Sequence, residues 1–205
     1  MEIETSATPA HATPAHPTLG ALAHAGPRGP GRNVPAMDVD EAIRTRRTHK
    51  AYRPEAVPRE VLDELFELAR WAPNHNLTNP WRFRVIGPSA LERLKEAAGP
   101  ESAAKLDRAP SLVVCSCALT GDPVQDEEDL HATACAAFIV LLAAHARGLV
   151  GYWRTPEVLR EPAGLAAVGV PEGERFVGLL HLGYGVQEQR PPEREPTSAV
   201  VTYLD

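Results

Sequence analysis

Five cations stand close together at residues 44–53: Arg44, Arg46, Arg47, Lys50 and Arg53, with Thr48 and His49 among them. The stretch Arg46-Arg47-Thr48-His49-Lys50 offers forked guanidinium groups, a hydroxyl and an ammonium in five successive residues. Such a donor set matches the oxygens of a phosphate. Cations at a helix C-terminus also favour the macrodipole, so the cluster has a purely structural use as well. Two further stretches carry groups suited to a ligand. The segment Ala72-Pro73-Asn74-His75-Asn76-Leu77-Thr78-Asn79-Pro80-Trp81 reads as a polar loop between a helix and a strand. The segment Gly148-Leu149-Val150-Gly151-Tyr152-Trp153-Arg154-Thr155 opens on glycines, which let backbone approach a flat ring closely.

Other chemistry is absent from the pattern. The sequence has no GxGxxG fingerprint and no P-loop, and the Gly-Tyr-Gly-Val-Gln stretch is not a nucleophile elbow. Cys115, Cys117 and Cys135 form no CxxC pair and read as buried thiols of a reducing cytoplasm. Cys115 and Cys117, two apart in an apolar run, would share a face of a strand. Glu127, Glu128 and Asp129 read as the solvated start of a helix. His131 and His145 are better suited to local hydrogen bonds than to a metal. No metal site is expected.

The elements that position these groups follow from hydrophobic spacing. With 205 residues, 43% of them hydrophobic and 23% charged, the chain suits one soluble domain. A formal net charge of -6 argues against bulk attraction to nucleic acid or anionic lipid. Residues 1–36, rich in Pro, Ala and Gly, read as a disordered tail, with His11, His16 and His24 in it. The domain is expected over residues 37–205. No secretory signal is visible, and the longest apolar run, 132–144, is too short for a membrane helix. The expected location is cytoplasmic.

Asp38 with Glu41 predicts the start of a first helix. Val61, Leu62, Leu65, Phe66 and Ala69 predict a second over 58–72. Trp81, Phe83 and Val85 alternate with arginines, as in a half-buried strand. Ser89 with Glu92 reads as a capping box for a short helix ending at Gly99. Residues 111–119 read as a strand buried on both faces, and 126–147 as a long helix that is apolar nearly all round. A short strand from Gly151, a helix near 157–168, a buried strand from Arg175 and a late strand at 198–204 complete an α+β sandwich.

Three segments, in their order and spacing, resemble those of the nitroreductase family over residues 38–205. Arg46 to Tyr52 is similar to the family's Arg-x-Ser-x-Lys/Arg-x-Phe element, with Thr48 for serine. The resemblance implies that Arg46, Thr48 and Lys50, with Arg47 beside them, hold the phosphate and ring edge of FMN. Ala72 to Trp81 resembles the family's Ala-Pro-Ser…Gln-Pro-Trp segment, with Asn79 where glutamine is common. There the segment lies across the flavin of the other subunit, so His75 and Asn79 are its candidate contacts. Gly148 to Thr155 resembles the glycine turn after the central helix and adds Trp153, Arg154 and Thr155. Longer relatives end on a basic pair that completes the phosphate site. Residues 196–205 lack one, and Arg154 is the candidate to stand in for it.

The implied fold is a three-layer sandwich, a mixed, mostly antiparallel sheet flanked by helices, in an intertwined homodimer with shared FMN sites. The implied enzyme is an NAD(P)H-dependent nitroreductase or quinone reductase working by ping-pong. NAD(P)H is its co-substrate and a small electron-poor molecule its acceptor, and no catalytic side chain is required. A flavin-binding carrier or sensor without turnover is the alternative. A flavin-destroying or dehalogenating relative is a third.

Overall fold

A computed structural model of the protein describes residues 37–204. The expected tail over 1–36, with its three histidines, lies outside the described residues.

Helix α1 (Val39–Thr45) begins where expected: the Asp38 side chain caps it by accepting the Glu41 amide at 2.8 Å. Helix α2 (Arg59–Ala69) starts after Pro58 and buries Leu62, Leu65 and Ala69. It ends earlier than the spacing predicts, because the chain tightens through Trp71 and Ala72, whose amides reach back only three residues. Strand β1 (Trp81–Val85) realises the predicted alternation. Helix α3 (Pro88–Ala98) does not use the Ser89 capping box: Gly87 is its N-cap, and Pro88, preset for the first helical position, moves the start ahead of Ser89. Gly99, at φ 72°, ends that helix and leads into a one-turn helix, α4 (Pro100–Ala103), that the sequence reading lacked.

Strand β2 (Ser111–Ala118) is buried on both faces, as its apolar run predicts. Helix α5 (Pro123–Ala146) starts a turn earlier than expected. Asp122 accepts the Val124 amide at 2.9 Å and Pro123 takes the first position. Asp126, the expected start, instead accepts the Thr120 amide at 2.7 Å. Strand β3 (Val150–Arg154) follows Gly148. The helix expected near 157–168 is split at Pro162 into a 3-10 turn, Glu157–Arg160, and helix α6 (Pro162–Ala167). Strand β4 (Glu174–Gly183) closes a sheet of order β1-β2-β4-β3, antiparallel throughout. The expected late strand is not formed. Residues 197–204 make a 3-10 turn, Thr197–Ala199, and then exposed coil, because no sheet edge among the described residues takes them up.

The layers are those of the expected α+β sandwich. On one face of the sheet, Leu65 and Ala69 of α2 and Ala136, Ala137 and Val140 of α5 pack on Val113, Cys115 and Leu180. On the other, Leu94 of α3 and Leu159 meet Leu112, Val114 and Leu179. Helix α5 has the length and hydropathy of a membrane span, yet half of its apolar stretch is buried inside the fold. Cys115 and Cys117 are buried free thiols as expected; Cys135 of α5, also expected to be buried, is exposed, since no described element covers it.

Candidate functional site

The cation cluster sits where α1 gives way to an extended segment. Arg46 is the C-cap of α1. Thr48 bridges Gly151, and the His49 amide donates to the Gly151 carbonyl at 3.1 Å, which lays the segment along the outer edge of β3. The Tyr52 hydroxyl donates to the His49 carbonyl at 2.7 Å and the Arg53 amide to Tyr184 at 2.8 Å, fixing its far end. Arg47 turns one guanidinium nitrogen back onto the carbonyls of Arg44 (2.6 Å) and Arg46 (2.9 Å), while its Nε is buried without a partner among the described residues. His49 is buried and its Nδ1 is also unpartnered. Burial, then the charges of Arg47 and Arg194, pushes the Arg46 pKa down. Burial and Arg46 do the same to His49. A concentration of positive charge with unused polar atoms is a site that gains from an anion.

Lys50 extends the cluster onto the sheet. Its ammonium lies 5.9 Å from the centre of the Tyr152 ring, and the Arg154 guanidinium lies 5.8 Å from the same ring. Arg154 also donates to the Lys105 carbonyl at 3.2 Å. Trp153, between them in sequence, points to the opposite face. Its indole N–H donates to the Val177 carbonyl at 3.2 Å, and its ring covers Gly178 so closely that any Cβ there would overlap it. Thr155 is exposed and its hydroxyl accepts from Arg160 at 3.3 Å. Beneath Tyr152, at 5.8 Å between rings, lies His181, buried with neither ring nitrogen partnered among the described residues. Burial, then Arg154 and Arg108, lowers its pKa to about 4, so the ring is neutral.

The polar loop is built differently. Asn76, Leu77 and Asn79 have φ of 54°, 53° and 48°, the left-handed region that side chains usually avoid. Asn74 accepts the Asn79 amide at 2.9 Å, and the Asn79 side chain donates to the Leu77 carbonyl at 2.7 Å. The loop is tied to the first turns of α5: His75 Nδ1 lies 2.7 Å from Glu128, and Thr78 donates to Asp129 at 2.5 Å. Asp129 is therefore not the solvated residue its acidic neighbours suggest; it is 1% exposed, covered by the loop.

The predicted site residues fall into two groups, except Trp153, whose indole lies against Val177 and Gly178, and Thr155, exposed just after β3. Arg46, Arg47 and Thr48 lie near the C-terminal end of α5, where Thr45 Oγ1 is 2.8 Å from His145 Nε2, and Lys50 and Arg154 lie farther along β3, around the Tyr152 ring. His75 and Asn79 lie at the N-terminal end of α5, near Asp129. At 1.5 Å per residue, the helix from 129 to 145 separates them by roughly 24 Å. Sequence reasoning missed Arg194, Tyr152, His181 and Asp129. Arg194 lies ahead of the last ten residues, where a terminal basic pair was sought, and no spacing pattern links it to Arg46.

The family model described as "Nitroreductase family" matches residues 43–184. A Haemophilus influenzae protein provisionally named an NAD(P)H nitroreductase is 30% identical over 82% of this chain and 100% of its own length. The solved structure of a nitroreductase-like family protein from Bacillus cereus superposes with a TM-score of 0.75 at 25% identity, over 82% of this chain and 96% of that one. An FMN and NADPH-dependent nitroreductase, NfnB, from sphigopyxis sp. strain HMH superposes with a TM-score of 0.70, over 82% of this chain and 99% of that one. At 15% identity that last likeness speaks to fold alone. Segment order, fold and family match agree: the chain belongs to the nitroreductase family.

Proposed function

We propose that this oxidoreductase binds FMN in two equivalent sites of a homodimer and turns over NAD(P)H against electron-poor acceptors such as nitroaromatics and quinones. The observation that carries the reading is the separation of the two residue groups by the length of α5. One flavin needs both an anion grip and a covering loop, and a two-fold axis supplies the loop from the second copy. The uncovered apolar surface supports this. Val39 and Ile43 of α1, Trp71 after α2, Leu77 of the polar loop and Phe138 of α5 are 68%, 53%, 77%, 78% and 40% exposed. Val200, Tyr203 and Leu204 at the chain's end are 77%, 90% and 92% exposed. So many exposed large apolar side chains suit an interface, and an obligate one runs to about 2,000 Å² or more.

The residues present fit the cofactor. Arg46, Arg47 and Thr48, with Arg194 beside them, offer the phosphate grip, and the unpartnered Arg47 Nε and His49 Nδ1 show polar capacity in reserve. Lys50 and Arg154, flanking Tyr152, would face negative charge at the ring's edge. Trp153, its N–H already engaged, contributes shape; Thr155 offers a hydroxyl, and His75 and Asn79 come from the partner. When bound, FMN would supply the chemistry, hydride transfer from NAD(P)H to the acceptor in a ping-pong cycle. The side chains bind, orient and exclude water, and no acid or base among them is needed. Arg154 and Arg194 compete for the role of the basic pair that ends longer relatives. Arg194, the nearer to Arg46, has the stronger case.

The test is direct. The purified protein should be yellow, bleach anaerobically with NADH or NADPH, and turn over menadione or a nitroaromatic. A colourless protein that takes up no FMN would sink the reading. Bleaching without turnover would make it a carrier.

A further inference from the structure

The loop at 74–79 holds a conformation that its own sequence does not favour. None of its three left-handed residues is glycine, and Leu77 has no side-chain hydrogen bond to offset the strain. Such strain persists only where surrounding contacts impose it. Besides bonds within the loop and one from Arg82 to the Asn79 carbonyl at 2.8 Å, the contacts that tie it down come from α5. Asp129, 1% exposed on α5, accepts from Thr78 Oγ1 at 2.5 Å and from Gln125 Nε2 at 3.1 Å. Gln125 in turn accepts from Asn76 Nδ2 at 3.4 Å. The bond between His75 and Glu128 is short but lies at the surface, 61% and 41% exposed, where water competes for both partners.

We infer that Asp129 is a positioning residue: it locks the loop, through Thr78 and through Gln125, in the shape that meets the flavin. The inference rests on the proposed FMN site, but the lock itself does not. Asp129 touches no ligand. Its carboxylate converts an irregular segment into a fixed surface before any cofactor arrives, so less ordering is left for the binding step.

The test is a double-mutant cycle in the full-length protein, with Thr78→Val and Asp129→Ala, each of which removes one side of the bond. Thr78 is exposed, so its variant removes the loop-side donor without opening a cavity in the core. Two readouts are needed: hydrogen exchange of the Thr78 and Asn79 amides in apoprotein, and the FMN dissociation constant with the visible circular dichroism of bound flavin. Each single variant should speed exchange at those amides and weaken FMN binding by about tenfold or more, the scale of one charge-assisted hydrogen bond. The double variant should be little worse than either. The apoprotein melting temperature of Thr78→Val should stay near that of the parent. Unchanged exchange in Thr78→Val, or additive effects in the double variant, overturns the lock. If the parent binds no FMN, the proposed function fails, and the exchange measurements still decide the lock.

Discussion

His181 is a base held where it cannot ionise. Its neighbours are a buried strand, the Tyr152 ring and two guanidinium groups, and its pKa falls from 6.5 to about 4. The unfolded chain therefore takes up a proton between pH 6.5 and about 4 while the folded chain does not. Stability is fully present above 6.5 and is lost as pH drops through that window. Replacing His181 with leucine removes the titrating group, so the fall in melting temperature from pH 6.5 to 4.5 should be shallower in His181→Leu than in the parent. An equal fall in both would show that other groups set the acid limit. Arg46 acts on the ligand instead. Arg46→Ala should weaken FMN binding by ~1.5–3 kcal/mol, the range for a charge-assisted hydrogen bond left unmade. Flavin fluorescence titration reads this, and an unchanged constant removes Arg46 from the site.

At the scale of elements, one polar rung crosses three strands. Arg84 of β1 meets Glu174 of β4 at 2.8 Å through both terminal nitrogens, and Ser116 of β2, lying between, donates to the same carboxylate at 2.5 Å. Burial alone would raise the Glu174 pKa. Hydrogen bonds from Arg84 and Ser116, with the charge of Arg84, outweigh it and hold it low. Arg84→Met leaves that carboxylate, 11% exposed, without its cation. The expected cost is on the order of 3 kcal/mol in urea unfolding at fixed protein and FMN concentration. A loss under half a kcal/mol would mean that solvent replaces the arginine, since solvated pairs contribute roughly that little.

Elements and ligand groups differed in how legible they were. Residues 111–119 and the run from Arg175 read as buried strands because apolar runs dictate burial without knowledge of partners. The Arg46–Lys50 cluster was legible because its members are consecutive. Ser89 misled because Pro88 ahead of it already starts a helix. Residues 198–204 misled because a strand needs an edge, which sequence does not supply. Asp129 could not be read at all. Its burial depends on a loop some fifty residues earlier in the chain crossing over it, and an acid in a helix's first turns has no reason of its own to be inside.

For the whole molecule, the two ends of α5 make a prediction about mixtures. Pair a subunit carrying Arg46→Ala with one carrying His75→Ala and Asn79→Ala. If sites are shared, the mixed dimer has one site with both defects and one with neither, and activity should exceed that of either parent. Light scattering that finds an active, FMN-bound monomer would end the shared-site model. The same model expects the melting temperature to rise with protein concentration and with FMN.

The seat of Trp153 on Gly178 reaches beyond this chain. Any side chain at 178 would overlap the indole, so the bare backbone there is a condition of the large ring. In descent, then, the two sites are not free to drift independently. A lineage that keeps tryptophan at 153 must keep glycine at 178, and one that trades the indole for a smaller group releases that constraint. Aligned relatives should show the two columns changing together, a paired substitution written by contact across neighbouring strands.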